Sequence, residues 1–348
     1  MEQSRYVAPK SRFHLHVIFM VLFVVINILV CVYMINFSSA LTEASMIIHS
    51  NFITILSPIT ILWCLYSNDS VVQMIQKVAD VSDLLPPRTM RKLAKMIYIK
   101  DACQLIPYVL YILPVSTLWE IPFVGTITWY TFLTVITANA LYVNNVYVLK
   151  ACFERINNSL EKINSVLIKD EPHLLRRMYR SQTNPMLLSE LRSLKKQHLA
   201  ISSVVSLINE TYGIQNIFAL LLLFVDITFN VYHHIVFSFQ SDITTTWFIG
   251  FNEYVIYHSF NIVVIIWTVE ITKDEAQKIG YNIHRIVVNT FDEQMTTELQ
   301  LFSLQALQSE NAFQALGLPI DATIATKLIC SITTNVLILI QFLLVKPC

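Results

Sequence analysis

The chain has 348 residues, of which 55% are hydrophobic and only 14% charged, and its 24 basic and 24 acidic side chains cancel to zero net charge. An average soluble domain carries about 25% charged residues, so the composition points to a polytopic membrane protein, and the neutral balance gives no electrostatic footprint for nucleic acid. Five glycines leave no phosphate-cradling loop, and Cys31, Cys64, Cys103, Cys152, Cys330 and Cys348 show neither a paired metal spacing nor an extracellular disulfide framework.

Hydrophobic runs predict an all-α fold with seven transmembrane helices, at 15–37, 46–66, 97–118, 124–149, 211–238, 249–270 and 322–345. A short arm, 1–14, precedes the first run. That run is too long for the core of a signal peptide, although Ser38-Ser39-Ala40 resembles a cleavage site. The third run is interrupted by Asp101, Pro107 and Pro114, a pattern tolerated where neighbouring helices or water satisfy the freed carbonyls. The first six runs make a bundle over 15–270, and the seventh stands apart with a short tail, 322–348.

Lys and Arg set the orientation. The arm carries Arg5, Lys10 and Arg12; the second connection carries Lys77, Arg88, Arg91, Lys92, Lys95 and Lys100; the fourth carries basic residues from Lys150 to Lys196. The first, third and fifth connections have none, only Glu43, Glu120 and Asp242. The positive-inside rule therefore predicts a cytoplasmic N-terminus and an extracellular C-terminus, opposite to a G-protein-coupled receptor.

The two long cytoplasmic connections, 150–210 and 271–321, read as helical. In the second, Met295, Leu299, Phe302, Ala306, Ser309 and Phe313 repeat along one helical face, flanked by Asp292, Glu293, Glu298 and Glu310, which predicts an amphipathic helix. Lys169 to Asn184, with Pro172 and Arg176-Arg177, reads as a loop.

Ionisable residues inside spans are costly and mark functional sites by default. Asp101 and Glu210 fall at cytoplasmic ends. Asp226 lies mid-span, followed by Asn230, Tyr232 and His233, and Asn252, Glu253 and Tyr257 open the sixth span. With Tyr111, Trp119, Trp129 and Tyr130 from the neighbouring runs at similar depth, these are the candidate ligand-binding residues, for a small polar or amphipathic molecule. An interfacial aromatic belt is the better account of each aromatic taken alone. His233 and His234 are adjacent and point about 100° apart, so they do not form a metal pair. No cofactor motif and no protease, hydrolase, nucleotide or dinucleotide signature is present, so no enzyme is expected.

The seventh run spans roughly 36 Å as a helix, enough to cross a bilayer core of about 30 Å. Lys327, Ser331, Thr334, Ile338, Gln341 and Val345 follow one another at intervals of 4, 3, 4, 3 and 4 and share one face. Such a polar stripe either hydrogen-bonds neighbouring helices or lines water.

Thr334-Asn335-Val336-Leu337-Ile338-Leu339-Ile340-Gln341-Phe342 resembles the signature of insect gustatory receptors: Thr-Tyr, five apolar residues, then Gln-Phe. Asn335 departs from the usual Tyr. Phe302-Ser303-Leu304-Gln305, Ala315-Leu316-Gly317 and Asp321 resemble the family's approach to its last helix, so the detailed likeness covers about the final 45 residues. The resemblance implies a gustatory chemoreceptor of the plasma membrane of sensory neurons, a tetrameric, non-selective, ligand-gated cation channel. It implies a ligand pocket in the outer half of the first six helices, a cytoplasmic anchor built from the helical extensions, and identical or related receptor subunits as partners. It also implies a pore along the last helix, with Gln341, Phe342, Ile338, Thr334 and Ser331 as pore and gate residues, passing monovalent and divalent cations. Sugar-sensing relatives carry an acidic residue where Val336 stands, which favours the non-sugar branch, bitter sensors included. A seven-span secondary transporter and an odorant-receptor-like channel subunit remain as alternatives; a transporter calls for inverted repeats, and the sequence shows no such symmetry.

Overall fold

In the computed structural model the described residues are 44–115, 122–169, 185–240, 245–290, 292–309 and 311–345, together with scattered positions between 18 and 32, which are helical. The predicted first span and the predicted loop at Lys169 to Asn184 therefore lie largely outside the described residues.

The chain is nearly all helical. In order come α1 (Ala44–Tyr66), α2 (Asn68–Ser82), α3 (Pro87–Val115), α4 (Pro122–Lys169), α5 (Pro185–Gln240), α6 (Thr245–Asn289), α7 (Glu293–Gln308), β1 (Gln314–Ala315), β2 (Leu318–Pro319) and α8 (Ala322–Val345). Proline occupies the first helical position of α3, α4 and α5, where its missing N–H costs nothing and its fixed φ suits the helix. Asp292 caps α7, its carboxylate accepting from the N–H groups of Gln294 and Met295. Asp321 does the same for α8: Oδ1 accepts from the Thr323 N–H at 2.9 Å and from the Thr323 hydroxyl at 2.5 Å. Those bonds, the hydroxyl's foremost, hold the Asp321 carboxyl below the usual carboxylate range.

Among the described residues five helices are long and apolar enough to cross a membrane, with candidate stretches at Ile47–Cys64, Phe132–Ile168, Pro185–Phe239, Val255–Asn289 and Ala322–Phe342. α3, which carries the weakest predicted span, is not among the five. α4, α5 and α6 have 48, 56 and 45 residues. At 1.5 Å per residue the shortest of these is roughly 68 Å long, twice a hydrocarbon core, so each leaves the membrane as one unbroken helix. The helical extensions expected from the sequence are thus continuations of α4, α5 and α6.

The extensions carry most of the core. α4 packs along α6 more extensively than any other pair of elements. Phe153, Ile156, Leu160 and Ile163 of α4 interlock with Ile279, Ile283 and Ile286 of α6, with Leu191, Ile201 and Ile208 of α5, and with Met74 and Val78 of α2. Two asparagine pairs, one heptad apart on both helices, cross-link α4 to α6. Asn282 Nδ2 donates to Asn157 Oδ1 at 2.9 Å, and Asn289 Nδ2 donates to Asn164 Oδ1 at 2.8 Å.

α7 closes this region. Met295, Leu299 and Phe302 are buried as the periodicity predicts. Glu298 accepts from Arg192 Nε at 2.8 Å and from Lys195 Nζ at 2.5 Å, both on α5. Gln305 Nε2 donates to the Lys195 carbonyl and lies 3.0 Å from the ring of the buried His198. The helix ends at Gln308, earlier than the seam suggested. Phe313 reaches the core from beyond the helix, on the approach to a two-stranded hairpin in which Gln314 pairs with Pro319 and Ala315 with Leu318. Leu316 (φ 51°) and Gly317 (φ 81°) both take left-handed conformations, the signature of a type I′ turn. Asn209 pins the hairpin to α5 by donating to the Ala312 carbonyl at 2.8 Å and accepting the Gln314 N–H at 3.0 Å. One turn on, Gly213 also lies against the hairpin: a Cβ there meets the Leu316 backbone nitrogen at 3.4 Å, an ordinary van der Waals contact.

Candidate functional site

Two regions answer to the sequence-predicted site residues: a polar cluster between α1 and α5, and the free face of α8.

Ser45 and His49 are one turn apart on α1, and Asp226, Asn230 and His233 follow at intervals of 4 and 3 on α5, so each set shares one helical face. The two helices pack along each other and bring the sets together. Asp226 is 2% exposed. Its Oδ1 lies 3.0 Å from His49 Nε2 and accepts from Asn230 Nδ2 at 3.2 Å. Asn230 also donates to the Asp226 backbone carbonyl at 2.8 Å, which fixes the amide beside the carboxylate. The second oxygen, Oδ2, is buried and has no hydrogen-bond partner among the described residues. His233 Nε2 lies 3.2 Å from the Ser45 hydroxyl. The rings pack closely: His49 stacks on Phe229 with centroids 5.1 Å apart, and His233 lies 5.9 Å from His49.

A second polar chain joins α3, α4 and α6. Gln104 Nε2 donates to Asn261 Oδ1 at 2.9 Å, and the Tyr257 hydroxyl donates to the Gln104 carbonyl at 2.8 Å. Lys100 pairs with Asp101 and donates to Gln104 Oε1, while Asn144 donates to Asp101 Oδ2. Asp101 is thus paired with Lys100 and held by the Asn144 amide. His258, next to Tyr257, is buried with its ring 5.2 Å from that of Phe132.

Of the candidate ligand residues, Asp226, Asn230 and His233 come together. Tyr257 belongs to the Gln104 chain instead, and Tyr130 is 40% exposed on α4, which fits the aromatic-belt alternative. Trp119 lies outside the described residues, as do the side chains of Tyr111, Trp129, Asn252 and Glu253. Sequence reading missed Ser45, His49 and His258. A lone histidine in an apolar run carries no local signal, and the His49–Asp226 contact joins residues 177 positions apart. Among the described residues no group of three or more His, Cys, Asp and Glu is arranged to hold a metal ion.

α8 packs against α5 and α6 along one edge only, and just 6% of its 322–342 stretch is buried against the rest of the chain. Val336 is its one buried residue among those described, with Ile332, Leu339 and Ile340 half-buried on the same side. Lys327, Ser331, Thr334, Ile338 and Gln341 are all exposed, on the side turned away from the bundle. Ile332 and Thr334 illustrate the division, two residues and so about 200° apart. Thr334 returns its hydroxyl to the Cys330 carbonyl at 2.9 Å, and Asn335 donates to the Ser331 carbonyl at 2.8 Å. Phe342 is 71% exposed.

A model of the family described as 7tm Chemosensory receptor matches residues 96–345, well over half of the chain. No curated protein matches it. Among solved structures the chain is similar to the insect olfactory receptor OR5 from Machilis hrabei, at 7% identity over 92% of this chain and 88% of that one, with a TM-score of 0.65. The same receptor in complex with eugenol is similar at 9% identity over 98% of this chain and 93% of that one, with a TM-score of 0.69. These identities speak to the fold alone, and the fold they share is the long-helix arrangement described above. By the family match, and in agreement with that fold, the chain belongs to the seven-transmembrane chemosensory receptors.

Proposed function

We propose that the chain is a subunit of a ligand-gated, non-selective cation channel of the gustatory type. Four copies surround a pore lined by α8, which opens when a small extracellular molecule enters the helical bundle. The observation that carries this reading is the division of α8: its polar stripe is turned away from its own bundle and its apolar edge is applied to it. Ser, Thr and Gln in register on a face that meets only lipid bring no benefit, whereas around a shared axis they face water.

With the basic connections in the cytoplasm, α8 runs outward and Gln341 and Phe342 stand near the outer mouth. Four Phe342 rings close the path by excluding water. Gln341 is offset from Phe342 by about 100°, so a modest rotation of α8 exchanges rings for amides. Thr334 and Ser331 line the wider part below, and Ile338 narrows the path between Thr334 and Gln341. Ligand acts by binding the open arrangement more tightly, and a preference of a few kcal/mol is enough to shift the population. The departures at Asn335 and Val336 support the non-sugar branch, and sensory-neuron plasma membrane is the setting this function requires.

The test is whole-cell current from cells expressing the chain, with surface delivery checked by an external C-terminal tag and a tastant panel applied. A cation-selective evoked current that changes its permeability in Gln341→Ala, and leaks in Phe342→Ala, is expected. A current coupled to substrate uptake and indifferent to both substitutions overturns the reading in favour of a transporter.

A further inference from the structure

We infer that the cluster between α1 and α5 is a binding site for a small protonated amine, with Asp226 as the group that receives the ammonium and His49 as the occupant the amine displaces. The consequence for gating rests on the channel reading above; the binding itself does not.

The carboxylate of Asp226 is held in the interior of a membrane bundle, where a charge without a cation is strongly disfavoured. Its partners are unevenly distributed. Oδ1 takes both the His49 and the Asn230 contacts, whereas Oδ2 is buried with no hydrogen-bond partner among the described residues. A carboxylate offers about four lone-pair positions, so this one keeps accepting capacity that the fold has not filled.

The side chain now beside it is replaceable. The His49 side chain is 15% exposed and sits on α1 by a single flexible link, so a rotamer change withdraws it. The place it leaves is bounded by Asp226 Oδ1 on one side and by the face of Phe229, on which His49 stacks at 5.1 Å, on another. His233 and the Ser45 hydroxyl close the outer end. A carboxylate and an aromatic face around a seat the size of an imidazole describe a cation site. Its size admits a primary or secondary ammonium, whose N–H groups donate to the carboxylate. A neutral alcohol brings no charge, and a quaternary ammonium brings no N–H donor. Displacing His49 also breaks one of the two polar cross-links between α1 and α5, leaving His233 with Ser45, and α5 is a helix on which α8 packs. Occupancy of the site is thereby connected to the helix that carries the polar stripe.

The experiment is calorimetric binding to the purified full chain in lipid nanodiscs, with three probes of the bulk of an imidazole: isobutylammonium, isobutanol and tetramethylammonium. The first is expected to bind at least about tenfold more tightly than the other two. Asp226→Asn, with unchanged elution and thermal midpoint, is expected to abolish that preference. His49→Gln removes the competing imidazole and is expected to strengthen amine binding while leaving the alcohol unchanged, and it decides the matter if Asp226→Asn does not fold. Equal affinity for the three probes, no amine binding up to millimolar concentration, or a preference that survives Asp226→Asn each overturns the assignment. Binding is read without current. Amine binding in a chain that conducts nothing refutes the channel and spares this site, and a working channel without amine preference does the reverse.

Discussion

Asn157→Ala is expected to be the most damaging single polar substitution in the α4–α6 interface. Asn157 is 5% exposed, and its amide works in both directions. Nδ2 donates to the Glu275 carbonyl at 2.8 Å and to Glu275 Oε2 at 3.1 Å, while Oδ1 accepts from Asn282 Nδ2 at 2.9 Å. Truncation removes these bonds at about 1 kcal/mol each and strands the Asn282 amide, itself 6% exposed, at a further cost of roughly 1–2 kcal/mol. The total is about 4–5 kcal/mol, whereas Asn164→Ala, which loses one bond to the half-buried Asn289, costs roughly 1–2 kcal/mol. The assay is the thermal midpoint of detergent-purified protein, read by loss of the monodisperse elution peak. A cycle with Asn282→Ala sharpens it: once Asn157 is gone, removing Asn282 relieves a stranded donor, so the double variant is expected to be less damaged than the sum by about 1–2 kcal/mol. Strict additivity, or Asn164→Ala costing as much as Asn157→Ala, refutes the reasoning.

Other outcomes follow from the packing of α7 and the hairpin. Glu298 is held below the usual carboxylate range by the hydrogen bonds from Lys195 and Arg192, in that order. Its stabilising contribution is therefore present above the ordinary glutamate value and disappears as pH falls through the depressed one, so the gap between wild type and Glu298→Gln, about 1 kcal/mol or less at pH 7, is expected to close in acid. Thermal midpoints measured from pH 7 down to pH 3 check it. Phe302→Ala empties a fully buried position and is expected to cost about 3–5 kcal/mol in the same assay. Gly317→Val places a β-branched side chain at φ 81° and is expected to destabilise the hairpin by more than Gly317→Asn, a ranking that limited proteolysis between α7 and α8 reads directly.

Much of this architecture was legible because it rests on local signals. Spans follow from runs of apolar residues, and the buried face of α7 follows from Met295, Leu299 and Phe302 at helical intervals. The stripe on α8 was likewise visible in the spacing of Ser331, Thr334, Ile338 and Gln341, and the structure leaves that face exposed. What the sequence hid is long-range or conformational. The periodicity ran on to Phe313, but the helix stops at Gln308, and the hairpin turn depends on two left-handed residues of which only Gly317 is a conspicuous marker. The polar cluster shows the same limit. Asp226, Asn230 and His233 were evident as a helical set, while their partners on α1, Ser45 and His49, are ordinary residues until α1 is laid against α5. Tyr257 sits at a plausible depth yet spends its hydroxyl on the Gln104 carbonyl, a contact across 153 positions that no spacing announces.

Cysteine scanning around α8 tests the central claim most directly. In a Cys330→Ser background, single cysteines at Ser331, Thr334, Ile338 and Gln341 are compared with cysteines at Ile332, Val336 and Leu339, and evoked current is followed during exposure to a charged, water-soluble thiol reagent. The account predicts block at the first four positions and indifference at the other three. Modification of both sets alike, or of neither while the channel still conducts, contradicts a pore lined by this face.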